Sequence, residues 1–299
     1  MSLKIWRSSC PACDSKAIGK VMVCVDHTVT LEAFEIWECV DCTLRFTQNF
    51  PGQTDIEHYY DSETYISHSD TAKGFVNKVY KTARSYTLRW KKNEVNRFSN
   101  KRPALGSLLD IGAGTGAFLN FVARENWEVT GLEPDKGARE ICKKKYGLDL
   151  QTPELLFEVS SQSFDVVTMW HVLEHVHQLH EYISTIKRIL KADGAALVAL
   201  PNYTSKDAQI YGSFWAGYDV PRHLYHFSPL AVAKLFAKHG LSIEAIRPMW
   251  LDAFYIAMLS EKYKKGNLMA ALFNGLRSNL NAAGRNESCS SILYVLRNG

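Results

Sequence analysis

The apolar stretch Ser107–Ile111 runs directly into Gly112-Ala113-Gly114-Thr115-Gly116, and no other feature limits the fold of this chain so much. The stretch has the length of a buried strand. Three glycines in the next five residues mark a tight turn where backbone can approach a ligand, since no Cβ blocks it. Residues 117–125 then read as a helix, so the turn offers a helix N-terminus to whatever it holds. The alternation continues: residues 128–132 predict a second strand, 136–146 a second helix, 148–151 a short third strand and 164–169 a fourth. Residues 177–191 predict a helix, 195–200 the fifth strand, 229–239 a helix, 241–247 the sixth strand and 290–297 the last. This pattern predicts an α/β fold, a doubly wound, mostly parallel sheet with helices on both faces. Ligands of such sheets bind beyond the carboxyl ends of the strands, where strand order reverses.

Seven cysteines give the second signal, because four of them form Cys10-Pro11-Ala12-Cys13 and Cys39-Val40-Asp41-Cys42. Two CxxC knuckles about 25 residues apart match a closed, four-cysteine structural zinc site. Disulfides are disfavoured in an intracellular setting, and a redox CxxC lacks a thioredoxin-like context here. Short strands are expected over 20–29, 32–37 and 43–47. The result is a zinc ribbon over residues 1–52, too small to fold without metal and closed by Phe50-Pro51-Gly52. Cys24, Cys142 and Cys289 read as buried small hydrophobes.

The glycine-rich turn does not by itself name its ligand. Gly112-x-Gly114-x-x-Ala117 would pass as a dinucleotide fingerprint. Asp110, two residues before the first glycine, suits a cationic ligand end and not a pyrophosphate. Glu133 closes the second strand, where it can accept from ribose hydroxyls. NAD enzymes use the same device, so Glu133 indicates a nucleoside without choosing the cofactor.

The run 108–116 resembles the first motif of class I S-adenosylmethionine-dependent methyltransferases, and Gly131-Leu132-Glu133-Pro134-Asp135 resembles their second. Residues 163–167 with His171-Val172-Leu173-Glu174-His175-Val176 resemble the fourth-strand motif of the ubiquinone-type subgroup. Leu190-Lys191-Ala192-Asp193-Gly194, followed by Ala199-Leu200-Pro201-Asn202, resembles its fifth-strand entry. The resemblance covers residues 107–247 and the last strand. It implies a Rossmann-like, seven-stranded sheet whose final strand is antiparallel, and S-adenosylmethionine as cofactor. Asp110 with Gly112, Ala113, Gly114 and Gly116 would hold the methionine portion, and Glu133 and Pro134 the ribose side. Residues 152–155 would lie by the adenine, although Thr152 stands where the family usually has an acid. Met169, Trp170 and His171 would close over the sulfonium. Tyr60 and Tyr65 are candidates to cap the cofactor, against ordinary core packing.

The ribbon in front of this domain resembles that of sugar C-methyltransferases, whose cysteines bind zinc. Cys10, Cys13, Cys39 and Cys42 are the corresponding ligands. Those enzymes carry a Glu-His pair after the fifth strand; here Arg222-His223 stands in that place. The ubiquinone-type Glu-x-x-Glu-His likewise becomes His171-x-x-Glu174-His175. Methyl transfer asks chiefly for in-line alignment, and a hydroxyl acceptor also needs a base. His171, His223 and His226 are the catalytic candidates, with His175 read as a hydrogen-bonding residue at a helix entry. Arg222 is a candidate partner for a substrate phosphate or carboxylate.

Charge is uneven. The net charge is +4, but residues 73–102 hold ten basic residues and one acid. Residues 74–98 predict a long helix with an apolar stripe at 75, 76, 79, 80, 83, 86 and 90, its basic residues forming a solvated face or a rim for an anionic acceptor. Residues 53–102 would form a helical cap on a catalytic domain over 103–299. Within that domain, 248–288 is an insertion of two amphipathic helices, Asp252–Lys264 and 268–281. No apolar run reaches the roughly 18–20 residues that cross a bilayer, and no secretory pattern begins the chain, so a cytoplasmic protein is expected. The expected reaction is methyl transfer to a hydroxyl, or to a carbon, of a small or carrier-linked acceptor, such as a sugar nucleotide, a phenol or a lipid precursor. Nucleic acid is disfavoured, since only Arg45 lies close to the knuckles. Two other classes stand beside this reading: an NAD-dependent oxidoreductase and a non-catalytic zinc-ribbon binding module.

Overall fold

The computed structural model describes residues 4–60, 75–99 and 106–299; Tyr65 lies outside them. Five short strands come first: β1 (Lys4–Ile5), β2 (Ile18–Val25), β3 (Ala33–Cys39), β4 (Arg45–Gln48) and β5 (Phe50–Pro51). The long helix α1 (Phe75–Phe98) follows. Strands and helices then alternate through β6 (Ser107–Ile111), α2 (Ala117–Ala123), β7 (Glu128–Leu132), α3 (Lys136–Tyr146), the single turn α4 (Leu155–Glu158), β8 (Phe164–Trp170), α5 (Leu179–Ile189) and β9 (Leu190–Pro201). A long loop carries α6 (Lys206–Tyr211) and β10 (Tyr225–His226). The chain ends with α7 (Pro229–Lys238), β11 (Leu241–Pro248), α8 (Asp252–Lys264), α9 (Leu268–Ala282) and β12 (Ser291–Asn298).

The main sheet runs β11-β12-β9-β8-β6-β7. β7, β6, β8 and β9 are parallel, while β12 lies antiparallel between β9 and β11. The final strand is therefore antiparallel, as expected. The strand count differs: among the described residues the sheet has six strands, and the expected strand at 148–151 is one parallel bridge from Gln151 to Leu132. Only Leu150 is buried in that stretch, so little apolar surface holds a full edge strand there.

Alternation along the strands feeds two cores. Leu109, Ile111, Val167 and Met169 point into one, and Leu108, Val166, Ala195 and Leu197 into the other. A fully buried Leu, Ile or Val stabilises the fold by roughly 1.5–3 kcal/mol, so both sheet faces are held firmly. That rigidity fixes the carboxyl ends of β6 and β8, where strand order reverses.

The cysteine-bearing strands form a second sheet that the loop after β9 completes. β2, β3 and β4 make an antiparallel meander, and β10 adds to its edge, with Tyr225 opposite Phe46 and His226 opposite Arg45. The loop after β9 is thus pinned to the N-terminal segment. Thr47 Oγ1 donates to the His223 carbonyl at 2.7 Å, and Tyr203 hydroxyl donates to the Thr43 carbonyl at 2.6 Å.

Candidate active site

The turn after β6 is built for a ligand. Gly114 has φ 54°, and a Cβ there would meet nothing within 4 Å, so its face is open. Gly116 has φ 75°, and a Cβ would lie 2.1 Å from Cys142 Sγ, so the turn must stay bare to pack on α3. Glu133 knits the turn to β7: its Oε2 accepts from Gly114 N at 2.7 Å and its Oε1 from Asp135 N at 3.0 Å. Burial pushes the Glu133 carboxyl above its ordinary range, against these two hydrogen bonds. Ala113 is buried beside the turn, whereas Pro134 is exposed at its rim.

Asp110 is buried and accepts from Thr168 Oγ1 at 2.6 Å. Burial pushes its carboxyl up to about 7, partly offset by Thr168 and by the nearby cation of Lys91. A cationic ligand end would favour the charged form, so Asp110 and such a ligand reinforce each other. Lys91, on α1, fills that electrostatic role here. Its Nζ lies 4.4 Å from the centre of the Trp170 ring and 5.9 Å from that of Phe118. Burial brings Lys91 down to about 8, opposed by Asp110 and Asp252. Trp170 meets Phe118 edge-on at 5.4 Å, so the end of β8 presents aromatic faces suited to a cation. Met169 is fully buried within β8 and packs into the core on the other face of the sheet.

His171 follows β8 with φ 58°. Its Nε2 stands 3.1 Å from Asp252 Oδ2, at the start of α8, and its Nδ1 stands 3.4 Å from Glu174 Oε1. Burial disfavours its charge, but the hydrogen bonds to Asp252 and Glu174 outweigh it and raise His171 to about 9. Both carboxylates favour its charged form. Apart from that 3.4 Å contact with His171, the oxygens of the fully buried Glu174 have no hydrogen-bond partner.

His175 and His223 stand beside Glu174, their rings edge to face at 4.5 Å. His223 Nδ1 is 2.9 Å from the Gly217 carbonyl, and His175 Nδ1 is 3.1 Å from the Arg222 carbonyl. Each carbonyl requires a proton on Nδ1, so in the neutral ring the lone pair is on Nε2. Burial, and then the neighbouring His223, lowers His175 to about 4. Ligand atoms of Glu174, His175 and His223 lie within 4.8 Å of one another, close enough to hold one metal ion. Tyr60 hydroxyl lies 3.1 Å from His175 Nδ1, which ties it to this cluster.

Two expected site residues lie elsewhere. His226 sits in β10, its Nε2 3.1 Å from Thr47 Oγ1 and its ring against Tyr218; burial holds it well below its ordinary value. Arg222 does not reach out for a substrate anion. Its guanidinium is buried and engaged by Asp26, Asp219 and the Tyr59 carbonyl. Asp252, Lys91 and Thr168 were not singled out by motif. Lys91 alone carried a signal: Leu88, Lys91, Val95 and Phe98 recur at three and four, which sets it on the packed face of α1.

The four cysteines of the knuckles gather at one point. Cys10 and Cys42 sulfurs are 3.5 Å apart, Cys13 and Cys39 sulfurs 3.6 Å, and all four lie within 4.8 Å. Those separations are too long for disulfides, whose S–S bond is about 2.05 Å. They approach the edge of about 3.8 Å in a tetrahedron of Zn–S bonds near 2.3 Å. The residues present fit a closed metal site.

Comparison with known proteins agrees with this geometry. A family described as a methyltransferase domain matches residues 80–246, which leaves the cysteine strands outside the match. A ubiquinone biosynthesis O-methyltransferase of Maricaulis maris is 29% identical over 161 residues, covering 49% of this chain and 63% of that protein, less than two thirds of its length. Magnesium protoporphyrin IX methyltransferase from Synechocystis PCC 6803, solved with bound SAH, has a TM-score of 0.55 at 14% identity, over 82% of this chain and all of that one. Geranyl diphosphate C-methyltransferase from Streptomyces coelicolor A3(2) has a TM-score of 0.53 at 13% identity, over 80% and 90%. These two share the fold.

Proposed function

Since the chain belongs to the methyltransferase-domain family, we propose that it transfers a methyl group from S-adenosylmethionine to a hydroxyl of a small or carrier-linked acceptor. The observation that carries this reading is the buried Asp110 carboxylate beneath an open glycine turn, walled by Trp170 and Phe118. A pyrophosphate would be repelled there, whereas an α-amino group and a sulfonium would be favoured. Asp110 and the backbone of residues 112–116 hold the methionine end, and Glu133 holds the ribose hydroxyls. When bound, the cofactor supplies a methyl group activated on a cationic sulfur.

The chain's own residues must then orient the acceptor and remove its proton. His171 is not free to act as the base, because Asp252 and Glu174 keep it protonated. It fixes the end of β8 against α8. His223 is the better base: Gly217 holds its Nδ1–H, which puts the neutral ring's lone pair on Nε2, and the neighbouring His171 and Glu174 orient the acceptor beside it. His226 serves as a packing residue between β4 and β10. Glu174 supports a second reading of the same cluster. A buried acceptor without a hydrogen bond costs on the order of 1–3 kcal/mol, and a divalent cation held by Glu174, His175 and His223 would remove that cost for the Glu174 oxygen that His171 does not face. His223 Nε2 would then be a ligand. Chelator treatment that abolishes turnover while leaving the four-cysteine zinc in place would select this second reading.

The four cysteines are assigned to a structural zinc ion whose strands scaffold the catalytic loop rather than recruit a partner. Among the described residues no helix is long and apolar enough to cross a membrane. The decisive experiment is calorimetric titration with S-adenosylhomocysteine, with NADH in parallel. Binding of the first alone supports methyl transfer; binding of NADH alone overturns it.

A further inference from the structure

Helix α9 packs with its small residues inward. Ala271, Gly275, Ser278 and Ala282 are buried, and a Cβ on Gly275 would lie 2.7 Å from the Phe254 ring of α8. Its large apolar residues face away from the protein. Leu268, Met269, Leu272, Phe273, Leu276 and Leu280 are all exposed, Met269 to 74% and Phe273 to 64%. At 100° per residue these six fall within one arc of about 140°. The arc runs the length of a helix of about 22 Å. A chain alone in water rarely leaves such a contiguous apolar face uncovered.

The charges around that face choose its occupant. Lys262, Lys264 and Lys265 at the turn between α8 and α9, and Arg277 on the flank of α9, are exposed. The acids of the hairpin are withdrawn: Glu261 is buried and accepts from Tyr211 hydroxyl at 3.0 Å, and Asp252 is held by His171. The exposed Glu287 lies beyond the end of α9. We propose that the α8–α9 hairpin seats the protein on an anionic membrane surface. The apolar arc of α9 enters the boundary between headgroups and acyl chains, and the lysine stems extend to the phosphates. A second copy of the chain fits less well, since a two-fold contact through this patch would join two surfaces that each carry these four exposed cations and no exposed acid on the hairpin. The proposal does not depend on methyl transfer.

Co-sedimentation of the full chain with phosphatidylcholine vesicles, with and without phosphatidylglycerol, tests it. The protein is expected to bind the anionic vesicles, and added salt should weaken the binding. Leu272→Gln with Phe273→Gln should weaken it at least about tenfold. Lys264→Glu with Lys265→Glu should remove the preference for phosphatidylglycerol. Both variants should retain the wild-type circular dichroism and melting temperature, because the altered side chains are exposed. Wild-type protein that stays in the supernatant with anionic vesicles overturns the proposal. So does vesicle binding that the Leu272 and Phe273 changes leave untouched. A stable dimer in solution that those changes convert to monomer would make α9 a self-interface instead.

Discussion

Arg222 Nη2 donates to Asp26 Oδ1 at 2.9 Å, and these side chains are 1% and 0% exposed. The same guanidinium binds both Asp219 oxygens and the Tyr59 carbonyl, so four of its five N–H donors are taken within the fold. The pair joins the cysteine-bearing strands to the loop that carries His223. Burial opposes ionisation of Asp26, but Arg222 outweighs it and holds the carboxyl below its ordinary range.

Removing one partner from this node should therefore be severe. Arg222→Met leaves the buried Asp26 and the partly buried Asp219 without their cation, and a broken buried ion pair costs about 3–5 kcal/mol. Urea unfolding should show that loss as a lower midpoint. Arg222→Lys should recover little, since one ammonium nitrogen with three donors cannot reproduce four bonds spread over the three nitrogens of the guanidinium. A loss below about 1 kcal/mol in Arg222→Met would mean that the node does not hold the two segments together.

Glu133→Gln should weaken S-adenosylhomocysteine binding by roughly 1–3 kcal/mol. The change removes the charge that accepts from Gly114 N and Asp135 N, and with it the acceptor for ribose hydroxyls. Calorimetry gives the dissociation constant directly. An unchanged constant in a folded variant would remove Glu133 from the cofactor site.

Much of this arrangement is legible from local pattern. Ser107–Ile111, the glycine turn and Glu133 lie close in sequence, so strand length, φ requirements and spacing expose them. The helices Asp252–Lys264 and 268–281 also show in periodicity, within a residue of their observed ends. What they do does not show. Asp252 meets His171 across 81 residues, and no local rule pairs them. Arg222 illustrates the same limit from the other side. As a lone cation on a polar loop it suggests an anion site, and only the fold reveals that Asp26 and Asp219 already occupy it. Tyr86 was expected on the buried stripe of α1 but is exposed, because the packed face passes through Leu88, Val95 and Phe98 and takes Lys91 with it.

The His171 and Asp252 pair gives a pH signature. The folded-state value of His171 is raised from 6.5 to about 9, so its stabilising contribution is complete below the ordinary value and is lost as pH rises through about 9. Wild-type stability should fall across that window. Asp252→Asn should lower the His171 value by about one unit or more and move the fall to lower pH. NMR titration of the His171 ring carbons reads the value site by site. A wild-type ring that titrates near 6.5 would show that the two carboxylates do not hold the proton, and His171 would return as a candidate base.

Zinc removal should loosen the catalytic loop as well as the cysteine strands. β10 hydrogen-bonds to β4, Thr47 holds the His223 carbonyl, and Thr43 Oγ1 lies 2.6 Å from Ser228 Oγ. A ribbon this small has too little core to persist once its metal ligands are free. Metal analysis of the reduced protein should find about one zinc per chain at the four cysteines. On chelation, amide exchange should accelerate across residues 18–48 and also across 223–228, while the amides of β6 and β8 stay protected. If residues 223–228 keep their protection after the zinc is gone, the loop is held by the catalytic domain alone, and the cysteine strands are an appendage rather than a scaffold for His223.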